Sequence, residues 1–256
     1  MLLAAGFGTR LSTLTEYWPK CLMPIGERPL LEYWLHYLKD AKINDVLVNL
    51  HYHSEKVNDF LNRYDYKNWV ISIYEEELLG TAGTLLKNAN YFGGYTTLFI
   101  HADNWTNIGL VDFIEYHFNN KPNHCLITMM TFDSENPKNC GIVETDSEGV
   151  IISFFEKVPS PPSNKANAAI YLLDPEVLDW LIARPWIKDF STEVIPHFVG
   201  KIATWHNTGN YRDIGTPIVL KKAQIDDKPE MNWDNNDLWS INFKNNPIHN
   251  QINNIQ

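Results

Sequence analysis

Gly6 and Gly8 are followed closely by Arg10, and Lys20 stands ten residues further along. Two glycines one residue apart allow a tight turn whose backbone N–H groups face an anion with no Cβ in the way. Arg10 adds a planar fork that matches phosphate oxygens, and Lys20 adds a compact, mobile charge. The apolar residues 1–5 form a short strand that delivers the chain into this turn. These are the parts of a cradle for a polyphosphate. Two familiar phosphate loops do not fit: a dinucleotide fingerprint needs a third glycine where Leu11 and Ser12 stand, and a Walker loop needs Gly-Lys-Ser/Thr, which is absent. Read alone, Gly-x-Gly-Thr-Arg serves equally as a plain turn.

Other residues carry a chemical and a bland reading side by side. Asp103 follows the apolar run 96–100. There it suits a hard cation, because Mg2+ takes one or two carboxylates plus substrate phosphates; by position it also reads as a helix N-cap. Asp213, in Tyr-Arg-Asp-Ile-Gly-Thr-Pro at 211–217, reads by position as a helix start. Glu156-Lys157 at the end of a strand is by itself a solvated ion pair. The stretch 79–84, Leu-Gly-Thr-Ala-Gly-Thr, could bring backbone N–H and C=O groups against a base edge or could be a capped helix start. No motif supports a serine or cysteine nucleophile.

Strands and helices must hold these residues in place. Short apolar runs predict strands at 46–50, 70–74, 96–100 and 125–131. Between them the spacing predicts helices at 29–38, 54–63 (capped by Ser54), 81–88 and 110–119. This alternation implies βαβ units and a mainly parallel sheet, with ligands at the carboxyl ends of its strands. The second half predicts a hairpin of 140–144 and 150–155, strands at 168–173 and 203–206, and helices at 175–183, 191–198 (capped by Ser191) and 215–224.

Residues 3–11, Leu-Ala-Ala-Gly-Phe-Gly-Thr-Arg-Leu, and 19–24, Pro-Lys-Cys-Leu-Met-Pro, together resemble the sugar-nucleotidyltransferase family, the nucleoside-diphosphate-sugar pyrophosphorylases. Later matches carry the resemblance to about residue 225. It implies an α/β fold with a Rossmann-like, mainly parallel sheet flanked by helices. The C-terminal left-handed β-helix of some members is not expected, because no hexapeptide period appears. A nucleotidyltransferase domain is expected over 1–226, with a nucleotide part at 1–135 and a sugar-phosphate part at 136–226, before an Asn-rich, aperiodic tail at 227–256. Family members carry a few more residues before the loop, so a shortened first strand or a start within a longer chain is expected.

The same resemblance implies roles. Leu3, Ala4, Ala5, Gly6, Gly8 and Thr9, with Gly80, Thr81 and Gly83, would bind the nucleotide, and Arg10 and Lys20 would be catalytic. Asp103 and Asp213 would ligate Mg2+, while Glu156, Lys157 and Asn167 would hold the sugar phosphate. Three departures from the family pattern are Ala102 and Ala169 for glycine and Val158 for proline. Leu-Gly-Thr-Ala-Gly is the form typical of guanylyltransferases acting on mannose or heptose 1-phosphates, so GTP is the expected nucleotide. UTP or dTTP with another hexose 1-phosphate is the alternative, as is a non-catalytic relative that binds nucleotide sugars. Relatives are often dimeric or larger, and a homo-oligomer is expected.

Bulk properties bound these readings. The 256 residues are 44% hydrophobic and 20% charged, the balance of an ordinary globular protein. A net charge of −10 excludes non-specific nucleic-acid binding as a working hypothesis but leaves room for a small phosphorylated substrate met by local cations. Three cysteines without metal-ligand spacing suit a reducing compartment. No basic, apolar leader and no membrane-length apolar run appears, so the expected location is the cytoplasm, away from membranes.

Overall fold

The structure is a computed structural model that describes residues 1–11, 13–63, 65–231, 233 and 235–255. The chain adopts the expected α/β fold and divides into two compact units that interleave along the sequence. One, here the loop-bearing unit, comprises 2–77, 101–108 and 209–256; the other, the hairpin-bearing unit, comprises Met1, 78–100 and 109–208.

In the loop-bearing unit the strands Leu2–Leu3, Val46–Leu50 and Val70–Tyr74 run parallel, with Leu2 opposite Val48 and Val46 opposite Val70. All five residues of Val46–Leu50 are buried, as a continuous apolar run requires. Helix Leu30–Asp40 starts after the extended Pro29 and buries every residue from Leu30 to Leu38. Leu11, Leu22, Trp34, Val48 and Phe60 form the core, each at most 1% exposed.

Two details of this unit differ from expectation. The helix expected to be capped by Ser54 begins at that residue, behind His53 in the left-handed region, and has no side-chain cap. The segment expected to be an aperiodic tail forms the helices Leu238–Lys244 and Pro247–Asn253, capped by the side chains of Asp237 and Asn246. Arg63 ties the first of them down by donating to Asp237 (3.0 Å from Nε) and, from Nη1, to the fully buried Glu32 (3.2 Å). Asn232, Asp234 and Gln256 of the tail lie outside the described residues.

The hairpin-bearing unit is mixed. Strand Lys165–Leu173 runs antiparallel to Thr97–His101 and to Ile127–Asp133, and Ile127–Asp133 runs parallel to Ile202–His206. The expected hairpin is Gly141–Thr145 with Ile151–Glu156. The helix expected at 191–198 is instead a wide turn, Phe190–Val194, followed by a tight one, Ile195–Phe198. Its cap is Asp189, whose Oδ1 accepts from the Thr192 N–H (2.8 Å), rather than Ser191. Phe99, Phe113, Met129, Tyr171 and Phe190 make this core.

All three cysteines are free; Cys21 and Cys125 are buried, and burial pushes the Cys21 thiol up to about 12. No helix among the described residues is long and apolar enough to cross a membrane.

Candidate active site

Strand Leu2–Leu3 feeds the glycine loop. Gly8 holds φ at 65°, and a Cβ there would meet Thr15 Cγ2 at 2.9 Å and Lys20 Cβ at 3.0 Å, so only glycine fits. The Gly8 carbonyl accepts from the Leu11 N–H (2.9 Å) and from Thr15 Oγ1 (3.1 Å), which turns the chain into the short helical segment Thr9–Leu11. Arg10 emerges from that segment 63% exposed and donates from Nη2 to Asp213 Oδ2 at 3.1 Å.

Lys20 sits at the start of the tight turn Lys20–Leu22, with its side chain only 6% exposed. Its ammonium donates to Asp103 Oδ2 at 2.7 Å and to Asp213 Oδ1 at 3.4 Å. Burial alone would lower the lysine pKa, but Asp103 first and Asp213 next override it, and the ammonium is held above the usual lysine range. Burial likewise works against the Asp103 carboxylate, and Lys20 and then His101 outweigh it, holding that carboxyl below the usual range.

The two aspartates are 110 positions apart, and a pair of three-residue strands joins them. Asp103 immediately precedes strand Asn104–Thr106, which pairs antiparallel with Tyr211–Asp213 so that Asp213 faces Asn104. Asp213 therefore lies on a strand, and the helix expected from 215 begins at Pro217, capped by Thr216. Between them Arg212 pairs with Asp226 through two contacts of 2.6 Å. Gly215 was not singled out by sequence, yet a Cβ there would fall 2.7 Å from the Arg10 guanidinium carbon. Its bare backbone lets Arg10 lie across it; the only sequence signal was its place in the quoted 211–217 segment.

Two carboxylates and two cations from four chain segments thus converge in one unit. Two hard oxygen donors suit a cation that takes its remaining ligands from phosphate and water. Among the described residues no group of three or more His, Cys, Asp and Glu could hold a metal through protein ligands alone.

The hairpin-bearing unit holds the remaining candidates. Glu156 ends its strand and pairs with Lys157 at 3.0 Å; Lys157 is 66% exposed and adopts a left-handed φ of 50°. Asn167 is engaged at both ends of its amide: Oδ1 accepts from the Ala169 N–H (2.9 Å) and Nδ2 donates to the Tyr171 oxygen (2.6 Å). Gly80 precedes helix Thr81–Lys87. The amides of Ala82 and Gly83 are committed to the Lys188 carbonyl (2.8 and 3.2 Å), and Thr81 Oγ1 accepts from the Phe190 N–H (2.7 Å).

A family model described as Nucleotidyl transferase matches residues 1–229. The chain is 30% identical over 223 residues to a Drosophila melanogaster protein named mannose-1-phosphate guanylyltransferase catalytic subunit beta, covering 85% of this chain and 59% of that protein. It is also 30% identical over 226 residues to a mannose-1-phosphate guanyltransferase of Schizosaccharomyces pombe, covering 85% and 61%. The chain thus spans about three fifths of the length of the curated relatives it matches. Among solved structures, HddC from Yersinia pseudotuberculosis complexed with GMP-PN shares the fold, with a TM-score of 0.70 and 23% identity over 87% of this chain and 96% of that one.

Proposed function

The chain belongs to the nucleotidyl transferase family, and on that premise we propose that it transfers the nucleoside monophosphate of GTP to a mannose- or heptose-type sugar 1-phosphate. One observation carries this reading: Arg10, Lys20, Asp103 and Asp213 converge beside a glycine loop that leaves a buried strand. The names borne by the relatives support the guanylyl and mannose parts.

An oxygen of the sugar 1-phosphate attacks the α-phosphorus in line, the new P–O bond forms, and the bond to the β-phosphate oxygen breaks. Pyrophosphate leaves with that electron pair. No protein nucleophile takes part, so catalysis rests on positioning and charge neutralisation. The loop amides and the exposed Arg10 fork hold the departing pyrophosphate. Lys20, already bridging two carboxylates, supplies positive charge beside the α-phosphate. Lys157 receives the attacking phosphate and Glu156 the sugar hydroxyls, as the family resemblance assigns them. Members of the family generally use a divalent metal, and the oxygen donors of Asp103 and Asp213 fit Mg2+, which when bound neutralises phosphate charge. We assign the protein to the cytoplasm, with nucleotide and sugar phosphate as its partners, a homo-oligomeric assembly, and no nucleic acid or membrane partner.

The test crosses GTP, UTP, dTTP, ATP and CTP with mannose, glucose and heptose 1-phosphates and measures magnesium-dependent pyrophosphate release. Release with GTP and mannose or heptose 1-phosphate is expected. Release confined to UTP or dTTP would remove the guanine assignment and keep the chemistry. Silence across the grid from folded protein would overturn the catalytic reading in favour of a binding role.

A further inference from the structure

The glycine loop begins where strand Leu2–Leu3 ends, and a side chain takes over the last ladder position. Leu3 is opposite Asn49 on Val46–Leu50, and the next amide, Ala4 N–H, donates to Asn49 Oδ1 at 2.8 Å. Asn49 is 3% exposed. Its Nδ2 donates to Glu75 Oε1 at 3.3 Å, and Glu75, 1% exposed, is pinned by its own N–H to the Leu50 carbonyl at 2.8 Å. A carboxylate oxygen only accepts, so Glu75 takes the NH2 end of the Asn49 amide and leaves the oxygen end for Ala4. The far side of the loop is held at Gly8, whose carbonyl accepts from Thr15 Oγ1.

We propose that Asn49, oriented by Glu75, is a positioning residue for the nucleotide: it sets the backbone direction at Ala4 and thereby aims the loop amides at the triphosphate. This rests on the nucleotidyl-transfer reading above. A side-chain acceptor satisfies the Ala4 N–H, a group too costly to leave unpaired in the interior, while releasing the chain from the sheet one residue before the turn. A backbone acceptor there would continue the strand into Ala5 and Gly6 and turn their amides toward a neighbour. Asn49 touches no reacting atom in this account; it acts through the loop.

The experiment compares wild type with Asn49→Ala, Asn49→Asp and the reciprocal pair Asn49→Asp with Glu75→Gln. The first removes the acceptor. The second keeps an acceptor for Ala4 but sets two carboxylates against each other. The pair restores one acceptor and one donor with their roles exchanged, and it is the rescue that a general packing role would not produce. Dissociation constants for GTP, UTP, dTTP and ATP are read by calorimetry, and amide hydrogen exchange is read at Ala4 and at residues 97–101 as a control for the fold. Each single substitution is expected to weaken triphosphate binding about tenfold or more and to speed exchange at Ala4 while residues 97–101 stay protected. The pair is expected to return binding to within about threefold of wild type. Wild-type affinity in Asn49→Ala, or a pair no better than Asn49→Asp, would overturn the proposal. A wild type that binds no triphosphate sinks the nucleotidyl-transfer reading instead, and exchange at Ala4 then still decides whether Asn49 sets the loop.

Discussion

Ala169 occupies the left-handed region, with φ at 54°, next to a candidate sugar-binding residue. Its N–H donates to Asn167 Oδ1, and the antiparallel register slips between Asn167 and Tyr171, so the backbone must bend here. A Cβ in this conformation costs about 1–2 kcal/mol, and glycine would return part of that gain as unfolded-state entropy, about 0.5–1 kcal/mol. Ala169→Gly is therefore expected to raise stability by about 0.5–1 kcal/mol, read as a shift of the urea midpoint at constant m-value; a destabilised variant would show that the alanine methyl packs to advantage. The chemistry of the loop-bearing unit is partly legible in sequence. By position Asp103 reads as a cation ligand or a helix N-cap alike, and it is the family resemblance that singles it out as a ligand. Gly215 could not be singled out, because its purpose appears only once the Arg10 guanidinium lies against it.

The elements that join Asp103 to Asp213 are three residues long, below the length at which alternation can be read from a sequence. Their pairing depends on a buried cluster: Asp226 accepts from Arg212 Nε and Nη2 at 2.6 Å each and from Trp105 Nε1 at 2.9 Å. Burial alone would raise the Asp226 carboxyl, but the Arg212 hydrogen bonds override it and hold the carboxyl below its usual value. A carboxyl with a depressed folded-state pKa stabilises fully above its unfolded value of about 3.9 and loses that contribution as pH falls through the folded value. Asp226→Asn is accordingly expected to cost about 2–4 kcal/mol at pH 7 and progressively less below about pH 4. Thermal melts of both proteins from pH 3 to 7 measure it; a gap constant across that range would contradict the linkage. The long elements were legible for the opposite reason. Val46–Leu50 and Leu30–Asp40 carry enough apolar residues for their period to be seen. In the C-terminal segment Asp237 and Asn246-Pro247 are readable cap signals, but the surrounding asparagines obscured the helices they start.

Over the whole molecule a net charge of −10 surrounds a site whose own cations sit in contact with two carboxylates. Lys20 is the residue on which this arrangement turns, since it is nearly buried and bridges both aspartates. The chain enters the loop-bearing unit three times, at 2–77, 101–108 and 209–256. A linear reading names residues in each passage but cannot bring the passages together. Magnesium-dependent pyrophosphate release from GTP and mannose 1-phosphate, compared between wild type and Lys20→Met, tests the central claim most directly. Losing an electrostatic stabiliser of the reacting phosphates is expected to lower kcat by about 100-fold or more. The rate is read at a temperature where circular dichroism shows the variant folded, because leaving Asp103 without its buried partner also lowers the melting temperature. A Lys20→Met protein that turns over as fast as wild type would contradict the assignment of this cluster to phosphoryl transfer.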